Sequence, residues 1–413
     1  MKEKNNTLGN ITVKSLLLED EDYYKEQYID CIDIDTITIS LLARPSATQH
    51  ITECIERYCD SSTYSAPVIN GRIREYISHE ETCPLSSVVL KQLYSTTDKK
   101  TYNVKLTLTL RIHPLIIKHE QDNTYYNVKV DDDGIYNTSR VVYKELRHMF
   151  CNSGTALDVI FSSYTIDSVR LIGSILTKHL PDKNCEKYMK LLSCARRYRH
   201  MTEYAYNSNS KSLNLVGKSF KLSFRDGNTV LSKMDNKSSY ESKDTHKASY
   251  CKDSIQVTFD VTKDFFNIEY LRDTGKIDTS SKYIQKFNIN IFTDVLRRTY
   301  DVFINIMIFM YTSCDFYNAS IARRKIRESS FHSDTKDTLR AYATRCANND
   351  KFVENSKLFK QFFKVEYSNA YSNTRKKFEK MDMSTIIIPD ILGVSEYKNP
   401  LVYMYLSKHP GNK

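Results

Sequence analysis

Residues 281–328 contain no proline and no glycine, and from Val302 to Tyr311 every residue except Asn305 is apolar or aromatic. A helix that is apolar on all sides has to be buried on all sides. Ten such residues rise only about 15 Å, half of the ~30 Å hydrocarbon core of a bilayer. The run therefore predicts a central core helix rather than a membrane span, and the rest of the chain must supply surface to wrap it. Its flanks are basic: Arg297 and Arg298 precede it, and Arg323, Arg324, Lys325 and Arg327 follow it. Cations at the C-terminal end of a helix are favoured by its dipole. The stretch thus predicts a buried helix that emerges into a fixed basic cluster.

Length and composition narrow the class. The 413 residues suffice for two or three domains of ~150 residues each. With 40% apolar residues and a mean hydropathy of −0.50, the chain reads as globular rather than disordered. No apolar run is long enough for a membrane helix, and the start, MKEKNNTLGNITVK, has no apolar signal region. Ten cysteines, none in CxxC spacing, read as free thiols of an intracellular protein. Thirty tyrosines, no tryptophan and frequent Ile, Asn and Lys are the residue bias of an AT-rich genome, such as that of a virus or parasite.

The pass along the chain predicts an α+β fold. Residues 31–42 and 104–112 alternate apolar and polar side chains and suit strands with one wet face. Between them, Ser46 and Gln49 form a capping-box pattern for a helix to about Tyr58. A strand at 125–130 should end in the acidic turn Asp131–Gly134. The β-rich segments are thus about 100–135 and 213–280, separated by a helical middle at 139–204 with helices at 139–151, 164–180 and 184–204. The 164–180 helix rests on Ile166, Val169, Ile172 and Ile175 at three-residue spacing. Phe220, Leu222 and Phe224 lead into Asp226-Gly227-Asn228, a hairpin signal. Residues 233–250 are polar and read as a mobile loop, and a strand–turn–strand is expected at 266–279. After the central helix, further helices are expected at 333–348, 350–370 and 372–382, with a last strand at 385–392. The division that follows is an acidic α+β region (1–135), a helical region (136–205), a β-hairpin region (206–280) and a basic helical region (281–413).

Function enters through charge. Residues 1–80 hold 8 Lys+Arg against 14 Asp+Glu, and residues 321–380 hold 15 against 7, giving −6 and +8. A basic surface of this kind suits nucleic acid. The candidate contacts are Arg323, Arg324, Lys325 and Arg327, then Arg375, Lys376 and Lys377, and the run Arg196-Arg197-Tyr198-Arg199. The arginines would neutralise phosphates and Tyr198 would stack on a base. The leading expectation is a non-enzymatic nucleic-acid-binding protein acting in replication, transcription or genome packaging. The runner-up is an assembly protein that forms homo-oligomers, the acidic region of one copy meeting the basic region of the next.

Catalytic motifs are not legible. There is no Walker A loop, no GxGxxG, no H-E-x-x-H and no G-x-S-x-G, and the 10 glycines form no phosphate cradle. Neither a cofactor nor a metal is expected. Leu146-Arg147-His148 resembles the L-R-H box of tyrosine recombinases, which would make Arg147 and His148 phosphate ligands and a tyrosine the nucleophile. Leu339-Arg340-Ala341-Tyr342 is a second short echo, but the partner boxes are not found in order. Sites assembled from distant residues leave no trace in a linear sequence.

Overall fold

The computed structural model describes residues 32–59, 64–65, 68–70, 72–78, 80, 83–94, 101–119, 132–151, 155–176, 180, 183–198, 201–235, 253–265, 284–285, 289–312, 314–363 and 368–399. The chain is α+β, as its patterning predicts. In order it forms β1 (Asp33–Ala43), α1 (Thr48–Tyr58), β2 (Val68–Asn70), β3 (Ile73–Ile77), β4 (Leu85–Tyr94), β5 (Thr101–Arg111), α2 (Ile112–His119), α3 (Asp132–Phe150) and β6 (Phe161–Leu176). Then follow α4 (Cys185–Leu192), β7 (Met201–Asn207), β8 (Ser212–Gly217), β9 (Phe220–Asp226), α5 (Gly227–Asp235), β10 (Ser254–Thr262) and β11 (Ile284–Gln285). The C-terminal part contains α6 (Ile289–Tyr311), β12 (Phe316–Tyr317), α7 (Ala319–Glu328), α8 (Ser333–Ala347), α9 (Asn355–Phe363), α10 (Ser368–Glu379) and β13 (Glu396–Tyr397).

One eleven-stranded sheet organises the molecule, in the order β2-β3-β4-β5-β1-β6-β10-β9-β8-β7, with β11 also pairing with β6. Every pairing in it is antiparallel. The segments 1–135, 136–205 and 206–280 all contribute strands to it. Alternation sorts its two faces. Val104, Leu106, Leu108 and Leu110 of β5 and Ile255, Val257, Phe259 and Val261 of β10 are buried in the main core. The opposite face is polar: Ser40 and Thr107 share a 2.8 Å hydrogen bond, and Arg170 donates to Asp260 at 2.5 Å.

The apolar face is covered by helices. α6 is the predicted core helix: twelve of its residues, from Phe292 to Tyr311, are buried, and Asn305 is exposed. Phe303 meets Phe259 of β10 with ring centroids 5.2 Å apart. α3 lies beside α6, and the buried Thr293 hydroxyl donates to Ser139 at 3.0 Å across the two helices. At the β8–β9 turn, a Cβ on Gly217 would stand 2.3 Å from the Phe220 ring, so that position requires glycine.

Several expectations are corrected. The 281–328 segment is not one helix. α6 stops at Tyr311, Thr312 takes a left-handed φ of +62°, and Asn318 restarts the chain as α7 by accepting from the Ile321 N–H at 3.0 Å. The helix expected at 164–180 is the long strand β6. Its partner β1 pairs Ile39 with Ile166 and Thr38 with Ser168, so Asp167 is the extra residue of a β-bulge. Ile166 and Val169 both face the core, and the bulge turned a period of two into a spacing of three. The helix expected at 184–204 ends at Leu192, and residues 201–207 are strand β7. Asp226 does not open a hairpin: its carboxylate accepts from the Asn228 N–H and the Thr229 hydroxyl at 3.3 and 2.8 Å, capping α5.

Other corrections are smaller. Asp132 begins α3, replacing the expected acidic turn. The Ser46 capping box is replaced by a 3-10 turn at Pro45–Ala47, and Gln49 instead bonds Glu53. Residues 385–392 are a buried extended segment and a 3-10 turn, with a bridge from Ile388 to Asn318. The strand at 125–130, the strand–turn–strand at 266–279 and loop residues 236–250 lie outside the described residues.

Candidate functional site: a basic helical module and a buried carboxylate

α7 to α10 form a second core. Ala322, Ile326, Leu339, Tyr342, Phe359 and Phe378 are among its buried residues. This core uses up the inward faces of the four helices, so their cations are left on the outside. Arg323, Arg324, Arg327 and Lys376 are exposed, and Lys377 is half-buried. The Arg323 Nε donates to its own helix at Ala319 O, 3.1 Å away. Arg324, Arg327, Lys376 and Lys377 have no carboxylate at ion-pair distance among the described residues. Other predicted cations are structural. Lys325 lies 4.7 Å from the Tyr317 ring centroid and donates to Met381 O at 3.5 Å, tying α7 to the turn after α10. Arg375 pairs with Glu379 at 3.0 Å.

The Arg196–Tyr198 run lies between α4 and β7 and joins the two cores. The Arg196 guanidinium sits between two rings, 4.9 Å from Phe309 of α6 and 4.8 Å from Tyr371 of α10. Arg197 pairs with the largely buried Glu354 at 3.2 Å. Tyr198 packs edge-on against Phe220 and Phe309 at 5.8 and 5.3 Å. These side chains are occupied in the fold, so the base-stacking role expected for Tyr198 would require its ring to leave that packing. Arg199 lies outside the described residues. Two cation–π contacts at a joint give Arg196→Ala an expected cost of about 1–2 kcal/mol. A urea melt would check this, and tryptic cleavage near residue 196 should accelerate.

A second constellation was not assembled by sequence reasoning. Tyr58 ends α1, Lys118 and His119 end α2, and Glu145 sits inside α3 with its side chain fully buried. Lys118 Nζ donates to Glu145 Oε1 at 3.0 Å, and His119 Nε2 donates to Oε2 at 2.5 Å. The Tyr58 hydroxyl also donates to Oε1, and itself accepts from Lys118 at 2.7 Å. Burial works to raise the Glu145 pKa. The hydrogen bond from Tyr58 and the charge and hydrogen bonds of Lys118 and His119 outweigh it, leaving the carboxyl below its ordinary value. Burial and the Glu145 charge push the Tyr58 hydroxyl far up, so it stays protonated. His148, exposed and one helical turn from Glu145, places its ring 6.4 Å from those of both His119 and Tyr58. The participating residues come from three helices far apart in the chain. The only linear signal was the Leu146-Arg147-His148 box, read for a different chemistry.

The two short recombinase-like echoes fall on α3 and α8. Tyr342, the tyrosine of the second echo, is completely buried, and its hydroxyl donates to Thr385 O at 3.5 Å. Arg147 lies 5.9 Å from the Tyr143 ring centroid. Among the described residues no group of three His, Cys, Asp or Glu side chains is placed to hold a metal ion, and no helix is long and apolar enough to cross a membrane. No family model, curated protein or solved structure matches the chain.

Proposed function

We propose that this chain is a nucleic-acid-binding protein whose contact surface is the outside of the α7–α10 module. The observation that carries the reading is the set of exposed cations that the fold leaves without acidic partners. Arg324, Arg327, Arg345, Lys357, Lys360 and Lys376 are all exposed, and none has a carboxylate at ion-pair distance among the described residues. Stability gives no reason to concentrate like charges on four short helices, because their self-repulsion opposes compaction. A polyphosphate relieves it, and counterion release drives the association.

Binding of labelled single-stranded RNA, single-stranded DNA and duplex DNA across a salt series tests this. The triple charge reversal Arg324→Glu, Arg327→Glu and Lys376→Glu is expected to weaken binding at least tenfold. The slope of log affinity against log salt should fall by about two to three, the value for three lost phosphate contacts. Affinity and slope unchanged by the triple reversal would overturn the reading.

A further inference from the structure

The Glu145 cluster has no structural need to be ionic. A buried ion pair contributes little net stability over apolar side chains of the same volume, because desolvation offsets its attraction. Yet α1 and α2 together deliver three polar side chains to this one carboxylate of α3. Buried, charge-coupled groups that reach the surface are where acid–base chemistry is found. Here the cluster does reach the surface: the Lys118 and His119 side chains are 34% and 15% exposed, and His148 is exposed.

The geometry points to a ribonucleolytic site in which His119 and His148 act as base and acid on one RNA phosphodiester and Lys118 holds its charge. An ionised carboxylate only accepts hydrogen bonds, so the His119 proton facing Glu145 is on Nε2. In the neutral ring Nδ1 then carries the lone pair and is the atom that takes up a proton, while the hydrogen bond to Glu145 holds the ring in this tautomer. The His119 and His148 rings stand 6.4 Å apart, edge to face. Hydrogen bonds of ~2.8 Å, one to the ribose 2′-hydroxyl and one to the 5′-oxygen of the adjoining phosphodiester, span such a gap. Lys118 is fixed beside them by Glu145 and by the Tyr58 ring, whose centroid is 4.4 Å from its Nζ.

The step balances without any further reactant. His119 Nδ1 removes the 2′-hydroxyl proton as the 2′-oxygen bonds to phosphorus. The bond from phosphorus to the 5′-oxygen breaks, and protonated His148 gives that oxygen its proton. The products are a 2′,3′-cyclic phosphate and a 5′-hydroxyl. Lys118 stabilises the negative charge on the non-bridging oxygens. Glu145 and Tyr58 are positioning residues. DNA, lacking the 2′-hydroxyl, is not a substrate. The inference takes only its substrate class from the proposed nucleic-acid function, because a dinucleotide needs no contact with α7–α10.

The test uses the full chain, with EDTA present, on a fluorescent oligodeoxynucleotide carrying a single ribouridine and, separately, on the dinucleotide UpA. Cleavage at the ribouridine with a 2′,3′-cyclic phosphate end is expected, and the all-deoxy oligonucleotide should stay intact. His148→Ala and His119→Gln should each lower the rate at least about 100-fold. His148 is exposed, so its variant keeps the test valid should His119→Gln disturb the fold, which circular dichroism reports. Wild-type cleavage no faster than that of the His119→Gln/His148→Ala double variant would overturn the proposal, as would full activity in His148→Ala. UpA cleavage without salt-dependent binding of longer polymers would uphold this site and remove the polymer-binding reading alone.

Discussion

Replacing Glu145 with alanine is expected to destabilise the protein by about 3–5 kcal/mol, because it strands Lys118 and His119 against a buried void. The carboxylate has no exposed side-chain surface and takes donors from three residues on α1 and α2. Its loss therefore unpins two helices from a third at once. Urea denaturation of the variant at neutral pH measures the effect. The dependence on pH has a definite sign. Glu145 titrates below its ordinary value in the folded state, so its contribution is complete above the unfolded carboxylate pKa of ~4.3. It is lost as the pH falls through the depressed folded value. Glu145→Gln keeps the shape and removes the titration, so the gap between wild type and this variant should narrow only under acid conditions. A gap that stays constant down to acid pH would mean that the carboxylate is not held ionised.

Phe303→Ala is expected to cost a similar amount, about 3–5 kcal/mol, for a different reason. Phe303 is 1% exposed and stands where α6 meets the sheet, against Phe259 at 5.2 Å and Tyr300 at 6.3 Å. Truncating it leaves a cavity bounded by the sheet, which cannot collapse because its strands are held by ladders on both sides. Two residues along the same helix, Asn305 is exposed, and Asn305→Ala should change stability by no more than about 0.5 kcal/mol. Thermal or urea melts of the pair check both statements. Equal effects from the two substitutions would mean that α6 does not bury the face described here.

The central helix and most regular strands were legible because their apolar periods are uninterrupted. β5 alternates without a break, and the Val302–Tyr311 part of α6 is apolar but for Asn305. β6 was misread because its period is broken where the protein inserts bulges, at Asp167 opposite β1 and again near Ser162. A three-residue step between core side chains looks the same in a bulged strand and in a helix. Residues 68–94 show no clean alternation because β2 and β3 are short and mostly half or fully exposed, and β4 carries a bulge between Leu85 and Ser87 and an unbroken Val88-Val89-Leu90 run. The basic module was readable as composition, but which cations are spent on the fold was not. Lys325 and Arg196 gave no sign that an aromatic ring lay across from them. The Glu145 cluster was invisible for the same reason: its partners are 26, 27 and 87 residues away along the chain.

The position of α6 in the chain has a consequence for biosynthesis. The ten strands on the main path of the sheet are all complete by Thr262, whereas α6, which covers the apolar face around Phe259, begins only at Ile289. A ribosome making this protein presents a wide, half-finished sheet before its cover exists. Nascent chains truncated before residue 289 should engage holdase chaperones, and release should coincide with emergence of the Val302–Tyr311 run.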